Sequence, residues 1–174
     1  MQAYRYEQFT VTHNNSEYHH TLIILDLLIW QGVHAGELQK METGHIHLQA
    51  GMVYIPSTRR SNSRDLSLSF MQMLPLSKYL EEIRPQLQPK GKDLIPGDIS
   101  NLLSQMMPEL QGINPLIRNA LYIRSSVILH WLTQDNKRDV QYKAGHKYIS
   151  STEQYVSREI GSLTDQLAKY HPFG

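Results

Sequence analysis

The stretch Arg124-Ser125-Ser126-Val127-Ile128-Leu129-His130-Trp131-Leu132 decides how the rest of this chain is read. Ile117, Leu121, Arg124, Ile128 and Trp131 follow one another at spacings of four, three, four and three, which is one face of a helix. Four of the five are apolar, so the face is predicted to point inward with Arg124 in its middle. A guanidinium cannot shed its charge, and burying it is costly unless it is paired. Arg124 therefore requires an anion. The sequence leaves two sources open: a protein carboxylate, with Glu37 and Asp139 as candidates, or a ligand phosphate reached through a cleft.

Working outward, Asn114-Pro115 offers an N-cap and a first-turn proline for a helix over 115–132. Asn136 opens a shorter helix over 137–144, with Asp139 placed to complete a capping box and Gly145 to end it. Gly145 permits a sharp exit that presents His146 at the mouth of a cleft. Ser150 and Glu153 form a further capping box, opening the helix that carries Tyr155, and 161–170 makes a last amphipathic helix with Leu163, Leu167 and Tyr170 on one face. Upstream, residues 1–16 read as an extended lead-in, and Ser16 caps an apolar helix ending near Gly32. His45-Ile46-His47-Leu48 alternates, Ala50-Gly51 turns, Met52-Val53-Tyr54-Ile55 is β-rich, and Leu66 and Leu68 alternate again. That pattern predicts an antiparallel sheet of two or three strands. Helices follow at 70–83 and 100–110, separated by a loop marked by Pro85, Pro89, Gly91, Pro96 and Gly97. The expected fold is α+β, mainly α: one helical domain over 1–174 with a small antiparallel sheet.

Composition narrows the chemistry. The 174 residues are 40% hydrophobic and 19% charged, as in a folded domain rather than a disordered chain. The absence of cysteine excludes disulfides, thiolate zinc sites and cysteine nucleophiles. The longest apolar run, 22–30, is nine residues and contains Asp26, whereas a spanning helix needs about 20. The polar and aromatic residues 1–9 do not read as a signal peptide, so a cytoplasmic protein with no membrane partner is expected. Net charge is only +1, but 114–174 hold eight Lys/Arg against five Asp/Glu, and 1–113 hold nine against eleven. With a second cluster at Arg59, Arg60 and Arg64, this distribution suits a polyphosphate and equally a solvated basic face. His45 and His47 would share a strand face, as some metal sites need, but no carboxylate-rich or cysteine-rich motif accompanies them, and no metal or cofactor is expected.

Arg124 through Leu132, then Asp139-Val140-Gln141-Tyr142-Lys143-Ala144-Gly145-His146, then Ser151-Thr152-Glu153-Gln154-Tyr155, resemble in order the C-terminal boxes of the tyrosine recombinase (phage integrase) family. Gln31-Gly32-Val33-His34-Ala35-Gly36-Glu37-Leu38 is similar to that family's first box, and 54–68 to its β-hairpin. The resemblance covers nearly the whole chain. It implies a catalytic domain for site-specific DNA recombination or integration, acting on double-stranded DNA as a homo-oligomer with no small-molecule substrate. Tyr155 matches the nucleophile that forms a 3′-phosphotyrosyl intermediate, and Arg124 and His146 match groups that bind the phosphate. Three positions depart from the pattern. His34 stands at the first arginine, Leu121 at the first histidine, and Arg59, with Arg60 beside it, at the hairpin lysine. Losing one electrostatic donor typically costs on the order of 10²–10³ in rate, so the same residues leave an alternative, a catalytically impaired relative that binds DNA or acts as a regulator. The family's N-terminal DNA-clamping domain is expected to be absent from this chain.

Overall fold

A computed structural model of the chain describes residues 16–87 and 90–157. The expected lead-in over 1–15 and the expected last helix over 161–170 lie outside those residues. The first helix, α1 (Ser16–Gln31), runs to Gly32, whose φ of +55° turns the chain sharply. A Cβ there would press on Val127 and Trp131 at 3.2 and 3.1 Å, so glycine also allows the close approach of a later helix. Ile23, Ile24, Leu27 and Leu28 are at most 2% exposed, which places α1 at the centre of the core. The short helix α2 (Ala35–Leu38) follows the turn.

The sheet has three antiparallel strands in sequence order, β1 (Ile46–His47), β2 (Met52–Ile55) and β3 (Arg64–Ser67). Val53 pairs with Leu66 and Ile55 with Arg64, and these residues turn toward the core. An arginine thus occupies a core-facing position of β3. His45 does not share a strand with His47: it lies in a 3₁₀ turn, Thr43–His45, where its Nδ1 accepts the Glu42 N–H at 3.0 Å. The two imidazoles therefore do not share a strand face, and the metal reading loses its basis.

Helix α3 (Phe70–Lys78) passes through a π turn, Tyr79–Ile83, into α4 (Arg84–Leu87). The helix expected to stop before Pro85 continues because the wider turn relieves the clash of a proline ring with the preceding carbonyls. Asp98 caps α5 (Ile99–Ile113), its Oδ1 accepting from Ser100 and Asn101. Ile99, Leu103, Met106 and Leu110 form its buried stripe.

The helix bearing Arg124 starts later than 115. Asn114 is the C-cap of α5, its N–H donating to the Leu110 carbonyl, and its Oδ1 accepts the Leu116 N–H at 3.0 Å over a turn that does not continue as a helix. Asn119 is the actual cap of α6 (Ala120–Gln134), accepting the Tyr122 N–H at 3.1 Å. The inward face is Ile123, Arg124, Val127, Ile128 and Leu129, while Leu121, expected inside, is 62% exposed. Helix α7 (Lys137–Ala144) matches its expected bounds. Asn136 caps it, although the Asp139 carboxylate accepts the Asn136 side-chain amide at 2.6 Å and not the backbone. Helix α8 (Ile149–Ser157) begins one residue before Ser150, which rules out the expected Ser150–Glu153 cap. Ile128, Val140 and Ala144 form a second apolar cluster, with Trp131, Leu132 and Tyr155 against it. Among the described residues no helix is long and apolar enough to cross a membrane.

Candidate active site

Glu37 is the hub of a buried charge cluster with Arg64 and Arg124. It sits on α2, fully buried, where a capping box fixes it: the His34 N–H donates to its Oε2 at 3.0 Å, and His34 Nδ1 accepts the Gly36 N–H at 3.1 Å. Arg64, from the core face of β3, grips the carboxylate with two parallel bonds, Nη1 to Oε1 at 2.6 Å and Nη2 to Oε2 at 3.2 Å. Its Nε donates to the Lys143 carbonyl at 2.7 Å, tying the sheet to the end of α7. Burial pushes the Glu37 carboxyl up, but the Arg64 hydrogen bonds and the charges of Arg64 and Arg124 outweigh it and hold its pKa below the ordinary value.

Arg124 enters from α6 with its side chain 6% exposed. It donates from Nη1 to the Gly32 carbonyl and from Nη2 to the Ala144 carbonyl at 2.6 Å, and its Nη1 lies 3.6 Å from Glu37 Oε2. The sequence left open a carboxylate or a phosphate as its anion. The carboxylate is present, but Arg64 shares it. One buried negative charge faces two buried guanidinium groups, so the cluster keeps one positive charge in surplus. Three of the five guanidinium N–H groups of Arg124 remain beyond its two carbonyl bonds.

His146 follows Gly145, which adopts φ +67° and lies so close to Arg64 that any Cβ would strike its guanidinium. The His146 Nδ1 is 2.8 Å from Oγ1 of Thr152, a fully buried residue of α8. Its ring stacks on Tyr155, centroids 5.8 Å apart and planes 14° from parallel. Burial, followed by the Arg124 and Arg64 charges, lowers the His146 pKa to about 4 against the opposing pull of Glu37. The ring is therefore neutral at neutral pH, able to donate a hydrogen bond but carrying no charge. Tyr155 is half-buried and near enough to Arg124 for its ionised form to favour the guanidinium. Among the described residues the Tyr155 hydroxyl has no hydrogen-bond partner.

His34 borders the same cluster, its Nε2 3.4 Å from Ser61 Oγ and 3.6 Å from Glu37 Oε1. Burial first, then the positive charges of Arg124, Arg64 and Arg60, hold its pKa below the ordinary value despite Glu37. Arg59 and Arg60 are exposed on the β2–β3 loop and form no ion pair among the described residues. The fold thus gathers Arg124, His146, Tyr155 and His34, with Arg60 at the edge.

Sequence reasoning grouped Arg64 with Arg59 and Arg60 as one basic cluster. The structure separates it from them as a buried partner of Glu37. The alternation of Arg64 with Leu66 and Leu68 was the available signal. Ser61, 2% exposed, was missed because its role depends on contacts with the distant His34 and His146. Thr152 was missed because its bond to His146, six residues away, spans the turn between two helices.

No protein-family profile matches the chain. Over 162 residues it is 28% identical to the tyrosine recombinase XerD of Listeria innocua, a match that covers 86% of this chain and 54% of that protein. The chain spans about half the length of the curated relatives it matches. The crystal structure of XerA recombinase superposes with a TM-score of 0.69 at 17% identity, covering 88% of this chain and 57% of that one. XerH site-specific recombinase bound to difH substrate in a pre-cleavage complex gives 0.67 at 15% identity, covering 91% and 47%.

Proposed function

We propose that this chain, which is similar over 86% of its length to a tyrosine recombinase and shares the fold of XerA recombinase, cuts and rejoins double-stranded DNA for site-specific recombination or integration. Tyr155 is the nucleophile. Its oxygen attacks a backbone phosphorus, the bond to the 5′-oxygen breaks, and the products are a 3′-phosphotyrosyl enzyme and a 5′-hydroxyl that takes up a proton. A second 5′-hydroxyl reverses these steps on a new partner strand. One phosphodiester replaces another at each stage, so no energy-supplying cofactor enters. Arg124 and His146 bind the nonbridging oxygens, whose negative charge grows in the transition state. Arg59 and Arg60 are the cations of the hairpin loop, and neither is a good proton donor, because an arginine pKa lies above about 12.

One observation carries this reading: a single carboxylate shared by two buried guanidinium groups, with the Tyr155 hydroxyl, which has no hydrogen-bond partner among the described residues, beside them. A buried surplus cation is costly unless an anion arrives to meet it, and a DNA phosphate supplies that anion. Assembly of several copies on DNA, which exchange between two duplexes needs, and a place in the cytoplasm belong to the same proposal. The test is a nicked suicide duplex, selected by binding from random sequence and incubated with the protein. A covalent protein–DNA adduct that disappears in Tyr155→Phe is expected. If the unaltered chain binds its selected duplex and leaves no adduct, the proposal fails.

A further inference from the structure

Both nitrogens of the His34 ring are engaged inside the protein. Nδ1 accepts the Gly36 N–H at 3.1 Å, so in the neutral ring the proton sits on Nε2. That N–H faces Ser61 Oγ at 3.4 Å and Glu37 Oε1 at 3.6 Å. Burial and the neighbouring cations keep the ring neutral. No nitrogen is left for a ligand.

Ser61 is the foot of a tight turn. The Thr58 N–H donates to the Ser61 carbonyl at 3.0 Å, and Thr58 Oγ1 accepts the N–H groups of Arg60 and Ser61, both at 3.1 Å. The Thr58 and Ser61 hydroxyls are 2.9 Å apart. On its other side the loop is stitched to the segment bearing His146, through a Ser61–His146 bridge and an Asn62 N–H to Gly145 carbonyl bond of 2.9 Å. Arg59 and Arg60 occupy the apex of this turn. Arg60 adjoins Ser61, its N–H is held by Thr58 Oγ1, and its charge acts on the His34 ring.

We propose that His34 is a positioning residue, a strut that holds the Thr58–Ser61 turn over the site, and that Arg60 at its apex is the guanidinium that meets a DNA phosphate on that side. The inference rests on the proposed function for its ligand, and assigns to the loop the cation that position 34 does not provide.

Binding of a selected duplex across a salt series tests it. Arg60→Ala should reduce the slope of log affinity against log salt by about 0.9, the value for one phosphate contact. His34→Asn, which retains a cap for Gly36 but is too short to reach Ser61, should lose affinity in the unaltered chain and lose nothing further in Arg60→Ala. A merely structural His34 would weaken both backgrounds alike. Nitrogen NMR of the labelled rings should show His34 protonated at Nε2 only, with and without DNA. An unchanged slope in Arg60→Ala, additive losses, or a His34 ring that becomes doubly protonated on DNA overturns the inference. A covalent adduct without a slope change removes this inference and leaves the proposed function, whereas a slope change without an adduct does the reverse.

Discussion

Arg64 Nη1 stands 2.6 Å from Glu37 Oε1, a full ångström closer than the approach of Arg124 to the other oxygen of that carboxylate. Arg64 therefore takes most of the carboxylate's charge, and Arg124 is held mainly by the carbonyl dipoles of Gly32 and Ala144. Glu37→Gln keeps the shape and removes the anion, leaving two buried guanidinium groups facing none. A loss of about 3–5 kcal/mol is expected, as for other broken buried pairs, read as a lower urea midpoint. The pH dependence has a definite sign. The Glu37 pKa is depressed in the fold, so its stabilising share is complete above the ordinary carboxylate pKa and is lost as pH falls through the lower folded value. Glu37→Gln should lack that part of the acid transition.

Gly145→Ala should destabilise more than Gly51→Ala, although both glycines adopt left-handed backbone, at φ +67° and +62°. Strain alone accounts for roughly 1–2 kcal/mol at either position. At Gly51 nothing lies within 4 Å of the new methyl, whereas at Gly145 it meets the Arg64 guanidinium, which is gripped by Glu37 and has nowhere to move. Urea denaturation of the two variants side by side measures the difference. Equal losses would show that the guanidinium is not held as described.

The depressed pKa of His146 makes two predictions. Its folded value of about 4 lies below the ordinary 6.5, so the unfolded chain takes up the proton first and stability is lost as pH falls from about 6.5 to about 4. In the proposed reaction the ring acts as a neutral hydrogen-bond donor, so adduct formation should show no step from His146 between about pH 6 and 8. A ring titration by NMR with a midpoint near 6.5 would contradict both.

How much of this was legible depended on the range of the interaction. The burial of Arg124 follows from helical spacing, and the structure keeps it inside even though the helix starts five residues later than Asn114-Pro115 suggested. Asn114 and Asn119 are the same residue type with the same capping chemistry, each side chain accepting a backbone N–H ahead of it, yet a helix follows only Asn119. Gly145 and the bounds of α7 were readable because a left-handed glycine stop is local. The bidentate bond between Arg64 and Glu37 joins residues 27 apart, and the bond from Arg64 to Lys143 spans 79. No local pattern encodes such distances. The Leu121 error has the same origin as the cap: the helix begins at Ala120, so Leu121 falls in an exposed first turn.

Leu121→His is the substitution most able to raise activity at little cost to the fold. Leu121 is 62% exposed and lies three residues before Arg124, one turn up the same helix. Exposed substitutions usually change stability by less than about 0.5 kcal/mol, and a well-placed imidazole used for proton transfer contributes about 10²–10⁴ in rate. His34→Arg, the other apparent restoration, behaves differently. It removes the acceptor for the Gly36 N–H and the contact to Ser61, and loss of a cap costs about 0.5–2 kcal/mol. Leu121→His should therefore accelerate adduct formation about 10-fold or more at an unchanged melting temperature, while His34→Arg alone lowers the melting temperature. The comparison needs only thermal melts and single-turnover trapping on a nicked duplex. A Leu121→His protein that melts normally and cleaves no faster would show that the exposed start of α6 does not face the scissile phosphate.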